Sequence, residues 1–163
     1  NPFAPQEGIV DETSTIILTK QHTPEDVLLN FRYSYIYRDS LIYSRLIDTS
    51  FVFIYFDPDE GTSGRFMSWG RDLELRTTSR LFKAFDNLNL VWNSTVNSLY
   101  FSEVDTIPSP SFFDDAVQAQ VSKSFELTVG SEIKIVGNAV FSFKRYPPSK
   151  VWKITKWRDE SIF

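Results

Sequence analysis

The chain has 163 residues, 42% of them hydrophobic and 23% charged, which fits one folded domain and excludes a disordered segment or a fibre. A net charge of -4, with lysines and arginines scattered, excludes the basic stripe of a nucleic-acid surface, so no nucleic acid is expected as a partner. With no cysteine and one histidine, His22, disulfides, thiolate metal sites and most triad chemistry are excluded as well.

No apolar run approaches the roughly 20 residues of a membrane span, so no transmembrane segment is expected. The unusual figure is 16% aromatic residues, with fifteen Phe, seven Tyr and four Trp. Rings in that number require a large interior, or one with a cavity.

Residues 1–22 contain Pro2, Pro5 and Gly8 and a β-rich patch from Ser14 to Thr19, without helical periodicity. This predicts an extended arm or tether ahead of a single domain over 23–163. Thr23-Pro24-Glu25-Asp26 is a helix start, with a threonine cap, proline in the first turn and two acids facing the positive end of the dipole. The helix is expected to run to about Arg38. Leu28, Phe31 and Tyr35 would point inward, while Glu25, Asn30 and Arg32 face water.

Asp39-Ser40 predicts a second, shorter helix through Ile47, with Leu41, Ile42 and Leu46 inward. Phe51 to Phe56 is a continuous apolar run too short for a helix, hence a strand covered on both faces. Asp57 to Gly64 is expected as a loop. From Trp69 to Phe85 the spacing of Thr78, Leu81, Phe82 and Phe85 predicts a third helix.

The remaining chain reads as strand. Leu88, Leu90 and Trp92 alternate with polar residues, and Ala119, Val121, Phe125 and Leu127 repeat that pattern along Val117 to Val129. Gly130-Ser131 then turns the chain into Ile133 to Arg145, a long antiparallel hairpin, and Pro147-Pro148 turns it into Val151 to Arg158. Gly137-Asn138 is expected as a bulge. Ile107 to Ser111 is expected as a connecting loop. The predicted fold class is α+β, with N-terminal helices packed on a curved antiparallel sheet that forms a cone.

At this point the chain resembles the nuclear transport factor 2-like superfamily, the cystatin-like α+β cone shared by ketosteroid isomerase, scytalone dehydratase and small polyketide cyclases. The residues that carry the resemblance are Thr23-Pro24-Glu25-Asp26-Val27, Tyr37-Arg38-Asp39 and the closing strand Val151-Trp152-Lys153-Ile154-Thr155-Lys156-Trp157-Arg158-Asp159. It covers about residues 23–160 and implies the cone fold and a homodimer formed through the sheet. The Asn1-Pro2-Phe3-Ala4-Pro5 start resembles bacterial lipoproteins just past a removed lipidated cysteine, which implies the bacterial cell envelope or secretion. Such a fold hosts enzymes, binding modules and assembly domains alike, so function rests on the pocket.

The candidate ligand-binding residues are Tyr33, Tyr37, Tyr55, Trp69, Arg71, Trp92 and Phe141. Tyrosine hydroxyls at 33, 37, 43 and 55 would serve as donors to a carbonyl or enolate, or be ordinary core groups. Arg71 would clamp a carboxylate, or pair on the surface with Glu74 or Asp72. Trp92, Phe141 and Phe143 on the apolar sheet face would line a packed core or a cavity. Asp57, Asp59 and Glu60 are too few for a complete calcium loop and read as a solvated acidic loop, so no metal is expected. Asn93-Ser94-Thr95 matches a glycosylation sequon, which matters only in a secreted eukaryotic protein. No phosphate loop, dinucleotide fingerprint, nucleophile elbow or zinc motif occurs, so no cofactor is expected.

Two functions follow, beside a purely structural reading in which the rings interlock and neither pocket nor ligand is needed. One is non-catalytic binding of a small apolar or aromatic ligand, or of a protein, through the cone. The alternative is a cofactor-independent isomerase, dehydratase or cyclase using tyrosine hydroxyls and a buried acid.

Overall fold

The computed structural model describes residues 17–102, 106–107 and 115–161. The Asn1 to Pro5 start, most of the expected arm and the Pro108 to Ser111 part of the expected loop lie outside them. What is described of the arm is tied down: the Thr19 amide donates to Asn30 Oδ1 at 2.9 Å, and the Trp152 amide donates to the Gln21 carbonyl at 2.8 Å.

Helix α1, Pro24–Ile36, starts as the sequence requires, with the Asp26 amide donating to Thr23 Oγ1 at 3.0 Å. It stops short of Arg38, which takes a positive φ of 52°, and Asp39 then accepts from the Leu41 and Ile42 amides to open α2, Ser40–Leu46. Strand β1, Ile47–Asp57, follows without a loop and turns back as β2, Arg65–Gly70. Helix α3, Arg71–Ala84, leads to β3, Leu88–Phe101, and the two-residue β4, Thr106–Ile107. Three long strands finish the chain: β5, Gln118–Val129, β6, Ile133–Tyr146, and β7, Val151–Asp159.

The sheet order is β2-β1-β7-β6-β5-β3-β4. Every pairing is antiparallel except β1 with β7, so the sheet is mixed. That parallel pair brings the end of the chain back beside the strand that follows the first two helices. The core lies between the helices and the sheet, with Val27, Leu28 and Phe31 of α1 each no more than 1% exposed. Burying one such side chain contributes about 1.5–3 kcal/mol.

Several expectations need correction. Asn30 is buried, with its amide bonded both ways to the Thr19 backbone. Leu41 is 60% exposed, and α2 buries Tyr43 in its place, beside Leu46 as expected. Ile47 to Ser50 belong to β1, and β1 is covered on one face only beyond Phe53, since Phe56 is exposed. The third helix starts at Arg71, because Arg65 to Gly70 pair with β1 as an edge strand. Gly137 and Asn138 keep regular register with Phe125 and Ser124, so no bulge occurs there. The irregularities fall instead in β3, at Trp92/Ser94 and Thr95/Asn97, between β6 and β7 at Ser142/Phe143, and in β1 against β7 between Ile47 and Val52. Pro147-Pro148 does turn the chain, through a cis peptide bond.

Candidate functional site

Strand alternation determines what the concave side of the sheet presents. On β6 the inward positions run Ile135, Gly137, Ala139, Phe141 and Phe143, so two of the smallest residues sit side by side on an otherwise bulky face. Opposite them α1 presents Phe31 and Tyr35, one helical turn apart, with rings stacked at 5.1 Å. Large rings above and the short side chain of Ala139 below leave a partly enclosed cavity of about 230 Å³.

Its walls come from α1 and from every long strand of the sheet. Phe31 and Tyr35 of α1, Phe53 of β1, Leu90 and Trp92 of β3 and Phe125 and Leu127 of β5 line it, with Ile135, Ala139 and Phe141 of β6. From the end of the chain come Trp157 and Asp159 of β7 and Ser161 just beyond. Phe31 is the hub: Trp92, Phe141 and Trp157 meet its ring at 5.4, 5.7 and 5.5 Å. Such tilted and edge-on contacts fix ring orientation beyond what burial alone provides.

Polar atoms divide into paired and unpaired ones. Trp92 Nε1 donates to the Leu28 carbonyl at 2.8 Å, and Trp69 Nε1 donates to Glu74 Oε1 at 2.8 Å. Trp157 Nε1 and Ser161 Oγ, by contrast, are buried without a hydrogen-bond partner among the described residues. A buried donor without an acceptor costs about 1–3 kcal/mol, which makes these two atoms exceptional.

A second polar cluster lies behind the cavity wall. Glu74, 3% exposed, accepts from Tyr43 Oη, from Trp69 Nε1 and from Thr78 Oγ1 at 3.2 Å. Burial, and then the neighbouring Glu74 charge, pushes the Tyr35 and Tyr43 phenols well above their ordinary range, so both stay neutral hydroxyls. Glu74 does not itself line the cavity. Among the lining residues described, the one carboxylate is Asp159, which accepts from the Ser161 amide at 2.9 Å.

Of the residues singled out from sequence, Trp92 and Phe141 line the cavity. Trp69 and Tyr55 pack beside it against Phe53, at 4.8 and 5.7 Å. Tyr37 is 44% exposed at the end of α1, and Tyr33 is half-buried away from the cavity lining. Arg71 donates to the Ile47 and Ser44 carbonyls at 3.2 and 3.1 Å, fastening α3 to α2 and β1. It therefore pairs with backbone rather than with Glu74 or Asp72. Sequence reasoning missed Phe31, Tyr35, Trp157 and Ser161 as site residues, and it missed the burial of Glu74. Ala139, small amid rings, was the signal that a hollow exists.

In the acidic loop, Glu60 pairs with Arg65 at 2.7 Å and Asp57 accepts from the Asp59 amide. Among the described residues no group of three or more His, Asp or Glu is placed to hold a metal ion, and no helix is long and apolar enough to cross a membrane.

No protein-family model matches the chain, and no curated protein sequence matches it significantly. Solved structures do. A nuclear transport factor 2-like protein of unknown function from Pseudomonas putida KT2440 superposes with TM-score 0.59 at 7% identity, over 85% of this chain and 84% of that one. A Novosphingobium aromaticivorans protein proposed to be a scytalone dehydratase superposes with TM-score 0.61 at 11% identity, over 96% and 87%. Bdellovibrio bacteriovorus Bd1075 matches with TM-score 0.57 at 9% identity over 83% of this chain, which spans 38% of the length of Bd1075. The chain has the nuclear transport factor 2-like, cystatin-like α+β fold.

Proposed function

We propose that the chain is a non-catalytic binding module that takes a small, flat, apolar ligand into its cone. The observation that carries this reading is the aromatic-walled cavity of about 230 Å³ bounded by Phe31, Phe53, Trp92, Phe141 and Trp157. An apolar cavity of about 150 Å³ is known to take up benzene, so this one suits a one- or two-ring molecule. Ring faces favour a planar guest, because offset stacking and edge contacts both need a flat partner.

The isomerase, dehydratase or cyclase reading finds less support. The buried acid, Glu74, already accepts from three donors and is not among the residues that line the cavity. Its geometry is that of a structural anchor: it joins α2, β2 and α3.

Intrinsic fluorescence tests the binding reading, since Trp92 and Trp157 line the cavity. Titration with indane, a two-ring hydrocarbon, is expected to change the emission saturably with one site per chain. A linear, unsaturable response would refute the reading.

A further inference from the structure

Resting on that reading, we infer that the ligand carries a neutral oxygen acceptor, of the carbonyl type, held by Trp157 Nε1 and Ser161 Oγ at the C-terminal end of β7. Both residues line the same cavity, and each carries a buried polar atom without a partner among the described residues.

The chemistry of the two atoms restricts what they accept. An indole N–H only donates, so whatever satisfies Trp157 must be an acceptor. A hydroxyl donates or accepts, so Ser161 can join Trp157 on one oxygen. Beside them on the cavity lining is the Asp159 carboxylate, whose Oδ1 already takes the Ser161 amide. It repels an anion, which disfavours a ligand carboxylate or phosphate and leaves carbonyl-like oxygens. Trp69 and Trp92, whose indole nitrogens are already engaged by Glu74 and Leu28, are not available for this task.

Chain geometry explains why the two atoms are available together. Trp157 pairs with Phe141 across β6 and β7, at the floor of the cavity. Four residues on, Ser161 lies over Gly137, where any side chain would collide with its hydroxyl. The glycine thus admits Ser161 to the cavity wall, where its hydroxyl joins Trp157 and Asp159.

Calorimetric titration of the full chain with indane, 1-indanone and indane-1-carboxylate separates the possibilities. The ketone is expected to bind about tenfold tighter than the hydrocarbon, as two neutral hydrogen bonds to otherwise unpaired donors allow, and the carboxylate weaker than the ketone. Trp157→Phe and Ser161→Ala are each expected to lower the ketone-to-hydrocarbon preference about threefold, and the double variant to abolish it. Ser161 follows the last strand, so its variant reports even if the tryptophan variant folds poorly. Equal affinity for indane and 1-indanone, or a preference that survives both substitutions, overturns this inference while leaving the binding module standing. Failure of every probe to bind overturns the binding module itself, and this inference with it.

Discussion

Ser161 sits directly over Gly137, so close that a β-carbon added to the glycine would overlap the serine hydroxyl. Because the colliding atoms belong to a side chain near the end of the described chain, a substitution at 137 displaces Ser161 rather than the sheet. Gly137→Ala is expected to change unfolding free energy by no more than about 1 kcal/mol, since alanine is the better strand residue. Its ketone-to-hydrocarbon preference is nevertheless expected to fall. Urea unfolding alongside probe titration checks both halves.

Ala139 faces the same hollow from β6 and is fully buried. Ala139→Leu is expected to fill the space and abolish binding of indane. Overpacking of a tight core costs about 1–3 kcal/mol, but here a cavity receives the added carbons, so the loss is expected at or below the low end of that range. Thermal melts paired with fluorescence titration distinguish a filled cavity from an unfolded protein.

Glu74 holds three donors from three elements, and removing it takes the acceptor from all of them, with Tyr43 and Thr78 buried. Glu74→Ala is expected to destabilise the chain by about 3 kcal/mol or more, and Glu74→Gln by considerably less, because the amide oxygen can still accept. Indane affinity of the folded Gln variant is expected to stay near that of the parent. A large loss of affinity in a fully folded Gln variant would assign Glu74 to the site rather than to the scaffold.

Much of the fold was legible in local chemistry. Thr23 and Pro24 opened α1 because capping is a local interaction, and the β5–β6 hairpin declared itself by alternation about Gly130. The edge strand β2 was hidden because Phe66 and Arg65 are exposed while Trp69 is half-buried, giving no clean one-sided apolar pattern. Leu41 misled because a seven-residue helix has too few turns to determine its inward face; packing against Phe31 selected Tyr43. The site was less legible for the same reason. Glu74 looks solvated beside Arg71 and Asp72, and only Tyr43, 31 residues earlier, makes it a core residue. Lys123 was similarly concealed on the inward face of β5, where it bonds Thr95 Oγ1 at 2.6 Å and pairs with Glu25 at 2.9 Å.

Asp48 and Tyr146 give the fold a pH dependence on both sides. Burial raises the Asp48 pKa, but hydrogen bonds from Ser50 and Tyr146 outweigh it and leave the carboxyl below its ordinary value. That contribution is present in full above the ordinary carboxylate range and is lost as pH falls through the lowered pKa. Tyr146 is pushed up to about 12, first by burial and then by Asp48, so its contribution is present below pH 10.0 and lost as pH rises through about 12. Tyr146→Phe is expected to reduce stability across neutral pH and to flatten both limbs. Urea unfolding at a series of pH values measures it.

The indole region of a nitrogen–proton correlation spectrum, followed while 1-indanone is added, tests the binding account most directly, because each tryptophan side chain reports separately. The account predicts that the Trp157 indole resonance moves saturably and downfield as its N–H gains an acceptor, while the Trp69 indole, held by Glu74, stays in place. A spectrum in which no indole resonance moves, or in which Trp69 moves and Trp157 does not, would contradict it.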